Sequence, residues 1–208
     1  FLTWWYAVPF GEIDPILGND AAFYVFSLPF FQVVRGVAQA LVVIAVMASG
    51  ALYFLSGGLT SGFPASLSQG PARRHLSLLA AAFLLLLACG AWLTRTEYLV
   101  SPSSIIFGAG YADITARIPA ALLLTIVSGL GAVLAVLQAF TLRNWPIPLA
   151  AALYAIVTIG GGVYGTVLQR FVVTPNEQVR EAPYIEHNIQ ATRRAFDIDD
   201  VEVRELSG

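Results

Sequence analysis

The side chains that most often carry out chemistry in proteins are few in this chain and far apart. Its only histidines are His75 and His187, and its single cysteine is Cys89. A zinc site needs three or four such ligands close together, so no metal site is expected. One cysteine also excludes an internal disulfide. Cys89 lies within a long apolar run, where a small packed side chain is expected rather than a nucleophile.

Two serines that precede glycine, Ser56 and Ser128, are candidate nucleophiles by residue type. Neither has a histidine or lysine near it in sequence that would activate the hydroxyl group. The glycines at 160–162 lie inside an apolar run and do not follow a strand, as a phosphate-binding loop requires. We therefore expect neither catalysis nor a bound cofactor from these residues.

The charged residues lie outside the apolar runs and suggest an interface. Arg35 stands at the start of the first run, where it would either extend to a lipid headgroup or pair with Asp113 or Glu97. An acidic and polar cluster follows the last run, and it is expected to be a surface for a partner or ligand, or a junction with a further domain. The candidate interface residues are Arg35, Asp113, Glu177, Glu181, Asn188 and Arg193.

Composition indicates which elements must position these residues. The chain has 57% hydrophobic and only 12% charged residues, and its mean hydropathy is +0.73. A soluble domain carries about 25% charged residues. Four apolar windows, at about 33–55, 76–94, 118–142 and 146–169, have the length of about 20 residues that a membrane-spanning helix needs. We predict an all-α integral membrane protein with about four transmembrane helices, short interfacial helices and an extramembrane tail.

The arginines predict the orientation of these spans. The connections between the first and second spans and between the third and fourth hold Arg73, Arg74 and Arg143 without any acid. On the opposite side, acids balance or precede the basic residues. The positive-inside rule therefore places both ends of this chain on the extracytoplasmic side.

Small residues predict where the spans touch. Gly161 and Gly165 have the GxxxG spacing, and Gly129 and Gly131 lie in the middle of the third span. Helices in lipid associate through close packing at such residues. These four glycines are the predicted helix-packing positions, and the lipid bilayer and other membrane subunits are the expected partners.

The segments outside the spans show local helix signals. Residues 1–32 are predicted to be an interfacial segment in which Asp20 caps a short aromatic helix and Pro29 kinks or restarts it. The apolar stretch 99–111 is too short to cross, so it forms either a re-entrant loop or an external one.

The tail, 170–208, is predicted to be extracytoplasmic. A capping box at Thr174 would begin one helix and Pro183 a second. Alternation at 201–205 is typical of a strand, which indicates that a further, water-soluble domain follows. The chain begins at Phe1 and ends within this pattern, so we expect it to be a portion of a longer protein.

Separate segments in order along nearly the whole chain resemble one family of proteins. They include Pro9 to Gly11, Asp14-Pro15, Phe23 to Phe30, Gly57-Gly58, Ala72 to Leu76, Gly108 to Asp113, Pro175 to Glu177, Pro183 to Ile185 and Asn188 to Arg193. The chain is similar in these to the large bacterial membrane proteins of uncharacterised protein family 0182. The resemblance implies about seven spans before a large extracytoplasmic domain, in the bacterial cytoplasmic membrane. Members often have threonine at Ala112 and glycine at Asp197.

We therefore expect a non-catalytic membrane scaffold or accessory subunit of a larger membrane complex, without cofactors. A component of a transport or permeation pathway is one alternative. The other is the membrane anchor of an envelope enzyme whose site lies elsewhere. The formal charge of −2 gives no reason to expect nucleic acid.

Overall fold

The structure is a computed structural model that describes residues 1–56, 70–101, 108–141 and 143–198. Within these ranges it is helical, with no β-strand. Four of its helices are long and apolar enough to cross a membrane, so the predicted class, an all-α membrane protein, is confirmed. The α-helices are α1 (Leu2–Trp5), α2 (Leu28–Leu55), α3 (Pro71–Glu97), α4 (Ile118–Phe140), α5 (Pro146–Leu168) and α6 (Glu177–Ala195).

The four long helices pack in chain order, α2 on α3, α3 on α4 and α4 on α5. We call the side where α2 and α4 begin and α3 and α5 end the loop side. The other side, where α3 and α5 begin, is the turn side. Each helix occupies one of the predicted apolar windows. α2 begins five residues before its window at the loop side, and α3 extends beyond its window at both ends.

Small side chains form the buried centre of the bundle. Ala81 and Leu84 of α3 meet Ala132 and Ala135 of α4 and Ala150 of α5. Because lipid tails are as apolar as these residues, burial itself provides little attraction between helices. The attraction comes from dispersion contacts, which small residues allow by bringing the backbones close together.

Three of the four predicted packing glycines lie at close contacts. A Cβ atom on Gly131 would lie 3.0 Å from the Cβ atom of Ala150, and one on Gly161 only 2.8 Å from that of Ala120. Gly165 faces the side chain of Arg117, at 3.3 Å. Gly129 has no neighbour within 4 Å. Two residues along a helix turn the direction by about 200°, so Gly129 and Gly131 cannot face the same helix.

A buried polar pair joins three helices at the turn side. The guanidinium of Arg73, at the start of α3, donates hydrogen bonds to the carbonyls of Gln138 (3.3 Å) and Arg143 (2.6 Å). The side-chain oxygen of Gln138 accepts the backbone N–H of Ile147 (3.0 Å). These bonds satisfy a carbonyl at the end of α4 and an amide at the start of α5 that helix geometry leaves unpaired.

Three wide, π-helical turns lie at the loop side: Phe23–Ser27, Asp113–Arg117 and Gln169–Val173. Each ends two residues before a proline, namely Pro29, Pro119 and Pro175. A proline ring clashes with the carbonyl four residues earlier, which in all three cases lies within the wide turn. The turn makes room for the ring, so the helical path passes Pro29 instead of restarting there.

The tail departs from the sequence prediction. The helical path continues from α5 through the turn at Gln169–Val173 and a short 3-10 turn, Thr174–Asn176, into α6. The Thr174 hydroxyl donates a hydrogen bond back to the carbonyl of Gln169 (2.9 Å) and does not accept one from a following N–H. The predicted capping box at Thr174 is therefore wrong, because the helical path runs through this residue instead of beginning at it. Pro183 lies inside α6 and does not begin a second helix. Because proline has no N–H, the carbonyl of Val179, four residues earlier, lacks its helical hydrogen bond. Val179 is exposed, so water can reach this carbonyl.

Local signals at two helix ends agree with the structure. The carboxylate of Asp20 accepts the N–H of Ala22 (2.8 Å), as predicted for a residue that caps the helix beginning there. At the end of α6, Asp197 has a positive φ of 54°, a conformation that glycine adopts more easily. A glycine at position 197 would adopt this conformation with less strain than aspartate does. The predicted strand at 201–205 and residues 102–107 of the predicted loop lie outside the described residues.

The contact at Gly161 predicts a packing defect. An alanine at Gly161 would push α5 away from Ala120, which we expect to destabilise the bundle by about 1–3 kcal/mol. Gly160→Ala is the control, because nothing lies within 4 Å of that position. Thermal melting of both purified variants tests this. Equal melting temperatures would contradict the close contact between α4 and α5.

Candidate functional site

A groove of about 420 Å³ lies among the four long helices in their loop-side half. It follows α5 over twelve residues, from Thr166 to Tyr154, or about 18 Å at 1.5 Å per residue. Three glycines lie in its lining, Gly90 of α3 and Gly161 and Gly162 of α5. The lining residues are Arg35, Leu87, Gly90, Ala91, Thr94, Tyr98, Arg117, Ala120, Ala121, Leu124, Tyr154, Val157, Thr158, Gly161, Gly162 and Thr166.

Arg35 reaches the groove from α2 by crossing a glycine of α3. A Cβ atom on Gly90 would lie 2.8 Å from a terminal nitrogen of the Arg35 guanidinium, so any larger residue would displace that group. This nitrogen, Nη1, donates a hydrogen bond to the side-chain oxygen of Gln39 (2.9 Å). The buried Nε of Arg35 has no hydrogen-bond partner in the part of the chain that the structure describes.

The predicted pairing of Arg35 with Asp113 or Glu97 is not found. Asp113 forms its ion pair with Arg117, one helical turn away, at 2.8 Å. Glu97 accepts a hydrogen bond from the side chain of Gln32, also at 2.8 Å. Arg35 therefore makes no ion pair among the described residues, and its positive charge stands uncompensated beside the groove.

Arg117 supplies the second guanidinium of the groove. Its side chain crosses Gly165 of α5, where a Cβ atom would lie 3.3 Å from its Cγ. Asp113, which pairs with it, is 2% exposed and also accepts the N–H of Gly110 (3.0 Å). The groove thus carries two guanidinium groups and one carboxylate partner, together with the hydroxyl-bearing residues Tyr98 and Tyr154.

At the loop side, beyond the groove, α6 contacts the segment 108–117, which leads into α4. Both carboxylate oxygens of Glu181 accept the N–H of Tyr111, at 3.2 and 3.3 Å. The preceding residue, Arg180, lies over the Tyr111 ring at 5.1 Å and donates to its hydroxyl at 3.3 Å. Glu181 is 1% exposed. Burial raises the pKa of Glu181 above its usual value, and the nearby acids Asp113 and Glu177 act in the same direction, against the Tyr111 hydrogen bond.

The N-terminal segment packs against the far part of α6. A cavity of about 610 Å³ lies between them, with His187 and Ala191 of α6 on one side and Asp14 on the other. Glu12 and Arg194 form an exposed ion pair at 3.6 Å. Desolvation acts to raise the pKa of Asp14, but hydrogen bonds from Leu17 and other donors of the loop outweigh it and hold that pKa below 3.8.

The structure separates the predicted interface residues into three places. Arg35 lies in the groove. Asp113, Glu181 and Asn188 lie where α6 meets the segment 108–117, with the Asn188 amide nitrogen 3.5 Å from the Cβ position of Gly108. Glu177 and Arg193 are half-buried on α6.

The histidines lie on opposite sides of the bundle. The imidazole of His75, near the start of α3, hydrogen-bonds to the Tyr53 hydroxyl at the turn side (3.1 Å). His187 lies on α6, beyond the loop side. No group of three potential metal ligands occurs within the described ranges.

Sequence reasoning identified Arg35 and Gly161 but missed the other residues that form the groove. Arg117 was not among the predicted site residues, although its spacing of four from Asp113 is that of a helical ion pair. Gly90 was not singled out, because its role depends on Arg35, which lies 55 positions earlier in the chain.

Comparison with known proteins gives one consistent result. The model of the "Uncharacterised protein family (UPF0182)" matches residues 1–208. The chain is 39% identical to UPF0182 proteins of Kocuria rhizophila and Kineococcus radiotolerans, and 38% identical to one of Geobacter sulfurreducens. The alignments cover 94%, 97% and 94% of this chain but only 20%, 20% and 22% of those relatives. The chain therefore spans about a fifth of their length. No solved structure matches it.

The burial of Glu181 predicts a dependence of stability on pH. Because its pKa is raised in the folded state, its stabilising contribution is complete below the unfolded value and is lost as pH rises through the folded value. Glu181→Gln keeps an oxygen acceptor for Tyr111 and carries no charge. We expect its melting temperature to rise relative to that of the unmodified protein as pH increases from 5 to 8.

Two further variants complete this test. Glu181→Ala should cost about 1–3 kcal/mol at every pH, because it leaves the Tyr111 N–H without its acceptor. Glu186→Gln, at an exposed position of the same helix, should change nothing. If Glu181→Gln melted below the unmodified protein at pH 8, the buried charge itself would be stabilising and the interpretation would be wrong.

Proposed function

The chain belongs to the Uncharacterised protein family (UPF0182), and from this premise we propose that it acts as a non-catalytic membrane scaffold. Its four long helices form a platform that holds the extramembrane segments in a fixed arrangement. In this role it is an accessory subunit of a larger membrane complex, for which those segments are the contact surface.

The observation that supports this proposal most is the junction of α6 with the segment 108–117. α6 holds Tyr111 through its backbone, by Glu181, and through its ring, by Arg180. Asp113 in turn ties this segment to the start of α4 through Arg117. A tail fixed to the bundle by buried acids is suited to presenting a surface in one orientation, since a freely hinged tail would need none of these contacts.

The outer faces of the bundle also favour a larger assembly. The most apolar window of the helix that contains α2 has no residue buried within the chain, and that of the helical path Pro146–Ala195 is only 6% buried. Val37, Leu41 and Ile44 of α2 are each more than half exposed. In a membrane such faces contact lipid or the helices of another subunit, so they are available to partners.

We also propose that the loop side is extracytoplasmic, in the bacterial cytoplasmic membrane. Arg73, Arg74 and Arg143 lie at the turn side, which the positive-inside rule assigns to the cytoplasm. The large length of the relatives beyond this segment leaves room for a domain on the loop side.

A second function, participation in a transport or permeation pathway, is favoured by the groove alone. Charged groups facing a cavity between spanning helices often mark a path for ions or substrates. Arg35 and Arg117 have this placement. Flux of a labelled anion into proteoliposomes, lost on Arg35→Gln, would support this alternative over the scaffold.

Cysteine accessibility tests the orientation. In a Cys89→Ser background, His187→Cys on α6 should react with a membrane-impermeant maleimide in intact spheroplasts. Arg74→Cys, exposed at the turn side, should react only after lysis. The reverse pattern would contradict the proposed orientation.

Native purification tests the scaffold. We expect the tagged full-length protein to co-migrate with a constant set of membrane proteins at stoichiometric ratios, identified by mass spectrometry. Glu181→Ala, which removes the hydrogen bonds from α6 to the Tyr111 backbone, should lose part of this set, and Glu186→Gln should keep it. A protein that runs alone at its own mass in mild detergent would contradict the scaffold.

A further inference from the structure

The groove has the features of a binding site for an anionic group. Its lining contains two guanidinium groups and several hydroxyl groups, and none of its described lining residues is acidic. Asp113 neutralises Arg117 from outside the lining, but among the described residues Arg35 hydrogen-bonds only to Gln39. A cation near the bilayer core without a counter-charge costs several kcal/mol, so an anion that enters the groove gains favourable interactions.

The glycines show how the space is made. Gly90 leaves room for the guanidinium of Arg35, and Gly165 leaves room for the side chain of Arg117. The two arginines come from α2 and from the start of α4, and both project to the same groove over neighbouring helices. The Nε–H of Arg35 is buried and unpartnered among the described residues, so this side chain retains an unused donor.

We propose that the groove binds a phosphate group, with Arg35 as its principal ligand. A guanidinium offers parallel N–H donors that match two phosphate oxygens, and it is more weakly hydrated than an ammonium group. Arg117, partly neutralised by Asp113, adds a second and weaker attraction. Tyr98, which also lines the groove, has a hydroxyl group that can act as a neutral donor.

The same phosphate chemistry is available from two sources. Farther from the loop side, apolar side chains of Leu87, Leu124 and Val157 line the groove beside the ring of Tyr154. An anionic lipid would place its headgroup at Arg35 and an acyl chain along these residues. Free inorganic phosphate would use the arginines alone.

The test uses the full-length natural chain in phosphatidylcholine vesicles, with thermal melting as the measurement. One arm adds phosphatidylglycerol to the vesicles and the other adds inorganic phosphate to the buffer. We expect one of them to raise the melting temperature and thereby to identify the source. Arg35→Gln should weaken this binding roughly tenfold to a hundredfold, the loss expected for a charge-assisted hydrogen bond.

Matched variants keep the result decisive. Arg170→Gln removes an exposed arginine at the loop side that does not line the groove, and it should bind as the unmodified protein does. Gly90→Ala displaces only the end of a flexible side chain, so it should fold and bind weakly, and Gly160→Ala is its control. If Arg35→Gln does not fold, Gly90→Ala decides. No stabilisation in either arm, or an equal response in Gly90→Ala and Gly160→Ala, would overturn the proposal.

Discussion

The exclusion of water from the bilayer is the constraint on which the rest of this structure depends. Every backbone group in the spans needs a partner within the protein, which makes the four long segments helical. The same constraint removes the hydrophobic attraction that would hold soluble helices together. The bundle therefore depends on close contacts at Gly131, Gly161 and the alanines of its centre, where dispersion is strongest.

Polar groups lie mainly at the two ends of the bundle, where they fix the helices to one another. At the turn side Arg73 and Gln138 satisfy backbone groups of neighbouring helices. At the loop side the bonds of Glu181 join α6 to the segment 108–117, and the ion pair of Asp113 and Arg117 lies within that segment. Arg35 is the exception, a cation next to the apolar interior that makes no ion pair within the part of the chain that the structure describes.

The sequence predicted structural features that depend on neighbouring residues better than those that depend on distant ones. The four apolar windows identified the long helices, because length and composition are properties of each segment alone. Asp20 was recognised for the same reason, since a cap acts on residues next to it. The predictions at Thr174 and Pro183 were wrong. Each residue would favour the start of a helix in an isolated peptide, but here the helical path from α5 continues past both.

The sites depended on contacts that no local pattern contains. Tyr111 and Glu181 are 70 positions apart, and Arg73 and the carbonyl of Gln138 are 65 apart. Arg35 and Glu181 were singled out as unusual charges, but their partners were not predicted. A glycine that accommodates an arginine from another helix, as Gly90 does, has no sequence signature of its own.

The proposed scaffold requires above all that α6 is fixed to the bundle as part of one rigid unit. Hydrogen–deuterium exchange of the full-length protein in lipid nanodiscs measures this most directly. The amides of α6 near Glu181, and the N–H of Tyr111, should be protected well beyond the rates of an unstructured peptide, and Glu181→Ala should release them. Rapid exchange throughout α6 in the unmodified protein would contradict a fixed tail and the scaffold that depends on it.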